Sequence, residues 1–171
     1  MDRFSKAVID WHPFTLCQEN EKAPYPRSLS TQEGLGDRLR FVAFAEKQAS
    51  HAFLIASEIY DVPQTVRETW RLLSEEENKH LGWLLKRMNE LNVSSSERPQ
   101  SLALWKSFDR CDTPLKFANF MANAEERGRV AGEQFFQTLL SVDPVTATLF
   151  QKIAEEEVEH IRLASNVLAK N

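Results

Sequence analysis

The chain has 171 residues, 42% of them apolar and 27% charged, with 5 glycines and a net charge of −4. This composition suits one globular domain with a sizeable core, and its acidic balance gives no electrostatic footprint for nucleic acid. The two cysteines, Cys17 and Cys111, form no Cys-x-x-Cys pair, which leaves a disulfide framework, a thiolate zinc site and a rubredoxin-type iron site unsupported.

Residues 1–30 are punctuated by Pro13, Pro24 and Pro26, yet Trp11, Phe14 and Leu16 are too apolar for a disordered tail. An arm packed along the core is expected, with a short helix near residues 3–11. Asp2, Arg3 and Lys6 break up the first residues, so no signal peptide is expected. No run nears the ~20 apolar residues of a membrane span. With free thiols, a cytoplasmic location is the expectation.

Four long helices follow. The first is expected over about 32–60, with Ser30 and Glu33 as a capping box. Its 3-4 spaced stripe is Leu39, Val42, Glu46, Ala49, Phe53, Ala56 and Tyr60. The second is expected over about 63–91, opening on Pro63 in its first turn. Val66, Trp70, Leu73, Glu77, His80, Leu84, Met88 and Leu91 form its stripe. Residues 92–113 read as a connection with a short helical turn around Leu102, Leu104, Trp105 and Phe108. Its length lets it cross a bundle from end to end, making the second and third long helices parallel. The third starts with Thr113 as N-cap and Pro114. Its stripe is Phe117, Met121, Glu125, Gly128, Gly132, Phe135 and Leu139. The fourth starts with Asp143 and Pro144. Leu149 or Phe150, then Ile153, Glu157, His160, Ala164 and Val167 form its stripe.

Each stripe is interrupted at its middle by ligating side chains. Glu77-x-x-His80 and Glu157-x-x-His160 place a carboxylate and an imidazole one turn apart on one helix face. Each has a lone Glu upstream, Glu46 or Glu125, at separations of 31 and 32 residues. At ~1.5 Å rise per residue, the members of each antiparallel pair agree in height to within roughly 4 Å. A buried carboxylate is costly unless it is paired or bound to metal, and four carboxylates neutralise two divalent cations. One Glu-x-x-His alone would read as a solvated acidic face; two, on apolar stripes at matched heights, point to a two-metal site. On the third helix the stripe favours Glu125, while a repeat of 31 favours Glu126. His51 falls off the stripe as a surface or outer residue, and His12 carries no case.

These motifs resemble the ferritin-like superfamily of di-iron and di-manganese carboxylate proteins. More narrowly, residues 26–168 resemble a bacterial ferritin-like family related to the tRNA-modifying non-haem di-iron hydroxylase. The likeness rests on Glu46-Lys47-Gln48-Ala49, Glu77-x-x-His80, Glu125-Glu126-Arg127-Gly128 and Glu157-x-x-His160. It departs at Arg129 and Val130, where Leu and Asp are expected, and at Phe44, where a His is expected.

The resemblance implies an all-α, ferritin-like four-helix bundle with a long crossover between the second and third long helices. One domain is expected over residues 1–171, with the arm at 1–30 and the bundle at 31–169. The metal ligands would be Glu46, Glu77, His80, Glu125, Glu157 and His160, holding two iron ions, or alternatively manganese or a mixed pair. The expected function is an oxidoreductase that activates oxygen or peroxide on an unidentified small-molecule substrate. Electrons would come from a separate donor, and no membrane partner is expected; a homodimer is compatible. The alternatives are iron storage of the bacterioferritin type and a metal-stabilised binding or structural bundle, while the acidic charge opposes a tRNA substrate. Ala49, Gly128 and Gly132 could leave a cavity beside the metals or serve close helix packing. Trp70, Leu73, Phe53, Met121 and Ile153 would keep bulk water away.

Overall fold

A computed structural model of the chain describes residues 3–166. It contains α1 (Gln32–Ile59), α2 (Gln64–Glu90), the short α3 (Ala103–Ser107) running into a 3₁₀ turn (Phe108–Arg110), α4 (Pro114–Leu139) and α5 (Pro144–Asn166). The four long helices are those the stripes predict. Val167, placed on the last stripe, lies outside the described residues. No helix among the described residues is long and apolar enough to cross a membrane.

The helix ends follow local chemistry, with two small corrections. At α1 the cap is Thr31, not Ser30: its hydroxyl accepts from the Gly34 N–H, while Ser30 bonds back to Ser28. At α2 Pro63 is the flanking residue, with an extended ψ of 152°, and the helix begins at Gln64. Thr113 caps α4 through the Lys116 N–H, and Asp143 caps α5 through the Thr146 N–H. Asn92, at a φ of 54°, ends α2 in the left-handed conformation, with the Val93 N–H returned to the Met88 carbonyl. Gly34 is required by space: a Cβ there would lie 1.8 Å from the Ser28 carbonyl oxygen.

α1 and α2 form one antiparallel hairpin, and α4 and α5 another. The crossover between them can be followed along α1. Val93 packs on Gly36, the Ser94 carbonyl accepts from the Arg40 guanidinium, the Trp105 N–H donates to the Gln48 side chain, and the Cys111 carbonyl accepts from the Tyr60 hydroxyl. It therefore traverses α1 from end to end, and α2 and α4 run parallel, as the connection length predicts.

The arm runs the other way over the same helix. Phe4 is fully buried among Tyr60, Trp105, Phe108 and Phe117. Trp11 and Phe14 pack on Phe44, and Leu16 bridges to Gln100. The expected helix at 3–11 is absent; turns stand there instead. The backbone N–H groups of Phe4 and Ser5 donate to the Asp109 carboxylate, which replaces the bonds a helix would supply. Near the other end, fully buried Arg40 ties arm, helix and crossover together. It reaches Asp37, Glu97 and the Ser94 carbonyl, and Asp37 also accepts from Arg27 and Arg98. Burial pushes the Asp37 carboxyl up, but its arginine partners outweigh this and hold it well below the usual carboxylate range.

Two apolar clusters result. One gathers Phe53, Tyr60, Trp70, Leu73, Phe117 and Met121. The other gathers Leu39, Leu84, Met88, Leu139, Phe150 and Ile153. The polar stripe positions fall between them, at mid-height.

Candidate metal centre

All six stripe positions are buried: Glu46 from α1, Glu77 and His80 from α2, Glu125 from α4, and Glu157 and His160 from α5. Glu126, the competing position, instead faces outward and pairs with Arg129 at 2.7 Å. His51 packs against the Trp11 ring, away from the centre.

Glu77, His80, Glu157 and His160 form the inner group, with one ligand atom of each lying within 4.8 Å of the others. His160 Nδ1 is 2.9 Å from Glu77 Oε1 and 3.3 Å from Glu157 Oε2. His80 Nδ1 is 3.3 Å from Glu157 Oε1 and 3.7 Å from Glu77 Oε2. Each imidazole thus lies nearer the Glu of the opposite helix than the Glu of its own turn. The imidazole rings stack at 5.3 Å. Glu46 joins from the side of Glu77, and Glu125 from the side of Glu157.

A rubrerythrin family model matches residues 37–168. The chain belongs to the rubrerythrin family. No curated protein and no solved structure matches it, so the narrower likeness to the tRNA-modifying hydroxylase rests on the motifs alone. The family is a ferritin-like one that binds a di-iron carboxylate centre.

Whether this rubrerythrin-family chain suits such a centre can be judged from its own atoms. Both Glu77 oxygens, Glu157 Oε2 and the Nδ1 atoms of His80 and His160 are buried without a hydrogen-bond partner. The short separations allow charge attraction, but the angles are too poor for hydrogen bonds. Burying that many unpaired polar atoms is costly. They share one region between α2 and α5, and the donor set of carboxylate oxygens and imidazole nitrogens fits iron or manganese.

Electrostatics without metal show what it must displace. Burial, then the charges of Glu77 and Glu157, raises Glu46 and Glu125 well above the ordinary carboxyl range. Burial also opposes the charge on the histidines, but contacts with Glu157 and Glu77 outweigh it. They raise His80 to about 9 and His160 to about 10. Glu77 is pushed up by burial yet drawn down to about 2 by His160 and His80. At neutral pH the metal-free centre therefore stores protons on both imidazoles, and its surroundings favour the protonated form of both flanking carboxyls.

Two neighbours escaped the sequence reading. Glu156 Oε2 lies 2.9 Å from His80 Nε2 and 2.9 Å from Lys79 Nζ. The Glu155-Glu156-Glu157 run reads as a solvated face, and only the approach of α5 to α2 singles out its middle member. Trp83 packs on the His80 ring at 5.3 Å, with the Lys152 ammonium 3.8 Å above its indole. The small residues Ala49, Gly128 and Gly132 all line one cavity of about 310 Å³ that reaches Glu46, Glu125 and Glu157. Gly132 also serves close packing, since a Cβ there would meet Ala154 at 3.2 Å. Gly128 has open space within 4 Å.

Proposed function

We propose that this rubrerythrin-family protein holds two iron ions and works as an oxidoreductase reacting with oxygen or peroxide. The observation carrying this reading is the set of buried, unpartnered ligand atoms on Glu77, His80, Glu157 and His160, flanked by Glu46 and Glu125. Glu77, His80, Glu157 and His160 would hold the pair, with Glu46 and Glu125 completing the donor set. The iron would supply the electrons that reduce oxygen or peroxide.

The protein's own part is positioning and exclusion. With metal bound, Glu156 would hold the proton of His80 on Nε2 and leave the Nδ1 lone pair free to ligate. Trp70, Leu73 and Phe53 are buried and would keep bulk water from one side of the centre, while Met121 and Ile153 give an apolar lining to the cavity on another. Electrons to restore the reduced state would come from a separate donor, and the free thiols suit a reducing cytoplasm. Manganese is the alternative metal; iron storage and a metal-stabilised scaffold are the alternative roles.

The test is anaerobic loading with ferrous iron followed by stopped-flow mixing with oxygen, and separately with peroxide. Two irons per chain and a rise of near-ultraviolet absorbance within seconds are expected. Inertness to both oxidants over minutes, with two irons bound, would contradict the redox reading; elution as a large cage would favour storage.

A further inference from the structure

The cavity beside the centre has features that close helix packing does not need. It lies between α1 and α4, the two helices that contribute a single ligand each. Phe41, Ala49, Phe108, Met121 and Phe135 are among its apolar walls, and Glu46, Glu125 and Glu157 reach it from the centre. Its volume, about 310 Å³, is at the small end of ligand pockets, roughly 300–1,000 Å³. Gly128 is exposed, and space is open where its Cβ would stand, so the cavity reaches solvent there. Next to it, Arg127 also lines the cavity and is exposed, and among the described residues it makes no ion pair. On the same helix, Glu126 and Glu133 pair with Arg129 instead. The opening is therefore flanked by an arginine without an ion-pair partner among the described residues, the body is apolar, and the floor is the centre.

We infer that this cavity binds a small organic monoanion, its acid group at Arg127 and its apolar body directed towards Glu46 and Glu125. This rests on the metal reading of the floor, and it adds the chemical class of molecule presented to the centre. A guanidinium matches a carboxylate with paired hydrogen bonds, and a chain or ring of about ten carbons is at the scale of a pocket this small. A purely polar acid would leave the aromatic walls unfilled, and an uncharged molecule of the same shape would forgo the arginine.

Decanoate is the probe, with decanol and succinate as controls, titrated calorimetrically into the full chain both metal-free and loaded with two cobalt ions. Decanoate should bind at micromolar concentration, decanol at least fivefold more weakly, and succinate not at all. Gly128→Leu, which fills open space rather than packed atoms, should weaken decanoate at least tenfold with cobalt stoichiometry unchanged. Arg127→Gln should weaken decanoate about fivefold and leave decanol unaffected. In the cobalt form, decanoate should shift the visible absorption of the wild type but not of Gly128→Leu. The inference is overturned if decanoate binds no better than succinate, or equally well to Gly128→Leu. It is also overturned if Gly128→Leu alters the oligomeric state while decanoate does not bind, because the face is then a contact between copies. Two cobalt ions bound without decanoate binding would refute the pocket alone; decanoate binding without metal uptake would refute the centre alone.

Discussion

Raising the pH should separate the metal-free and metal-loaded proteins in stability. Without metal, His80 titrates at about 9 and His160 at about 10, against an ordinary value of 6.5. Both folded values lie above the unfolded one, so the native state binds more protons across the interval. Stability from these groups is complete below about pH 6.5 and is lost as the pH rises through 9 to 10. Glu46 and Glu125 are shifted the same way, from 4.5 upward. Glu77 is depressed to about 2, so its contribution is lost only as the pH falls from about 4.5 through 2, outside this window. One unit is worth about 1.4 kcal/mol, and the two imidazoles share their carboxylate partners and titrate as a pair. Together they contribute on the order of 3–5 kcal/mol that disappears by pH 9–10. At roughly 2–4 °C per kcal/mol for a chain of this size, the metal-free melting temperature should fall by about 6–20 °C between pH 6.5 and 9.5. Metal must displace the same protons, so its affinity and the stabilisation it confers should grow over the same interval. Melts followed by circular dichroism at pH 6.5, 8 and 9.5, with chelator and with excess manganese, would measure both curves. A metal-free melting temperature that is flat or rising from pH 6.5 to 9.5, or a gap that does not widen, would refute this account of the centre's charges.

Glu77→Ala and His160→Ala should each abolish the difference in melting temperature between chelated and metal-loaded protein, because each removes an inner ligand. Glu156→Gln should weaken metal binding about 10- to 100-fold in a competition titration while two sites per chain remain, since it touches the centre through the His80 Nε2 proton and not as a ligand. Phe4→Ala should cost about 3–5 kcal/mol in denaturant unfolding by emptying an aromatic-lined core position. Metal stoichiometry should be unaffected. Gly34→Ala should cost about 1–3 kcal/mol through its clash with the Ser28 carbonyl, again with metal binding intact.

The sequence carries the bundle and the burial of its six polar stripe positions plainly because both depend on helical period. Glu46, Glu77, Glu125 and Glu157 stand where the apolar stripe continues on either side, and burial of that stripe takes them inward with it. Thr113-Pro114 and Asp143-Pro144 announce two helix starts through donors that must be met locally. What the period misses is set by tertiary contact. The arm's first residues look helical until Asp109, 105 positions away from Phe4, takes their N–H groups. Glu156 differs from its acidic neighbours only because α5 lies against α2 there. Gly128 and Gly132 share one stripe, yet only Gly132 meets α5; Gly128 faces open space beside the cavity.

The most direct measurement is a crystal of the iron-loaded protein with anomalous diffraction collected on both sides of the iron absorption edge, alongside elemental analysis of the same preparation. Two iron peaks are expected per chain, among Glu46, Glu77, His80, Glu125, Glu157 and His160, and close to two irons per chain in solution. A single peak, a peak outside these six side chains, or a folded protein that retains only trace iron or manganese would contradict the dinuclear centre.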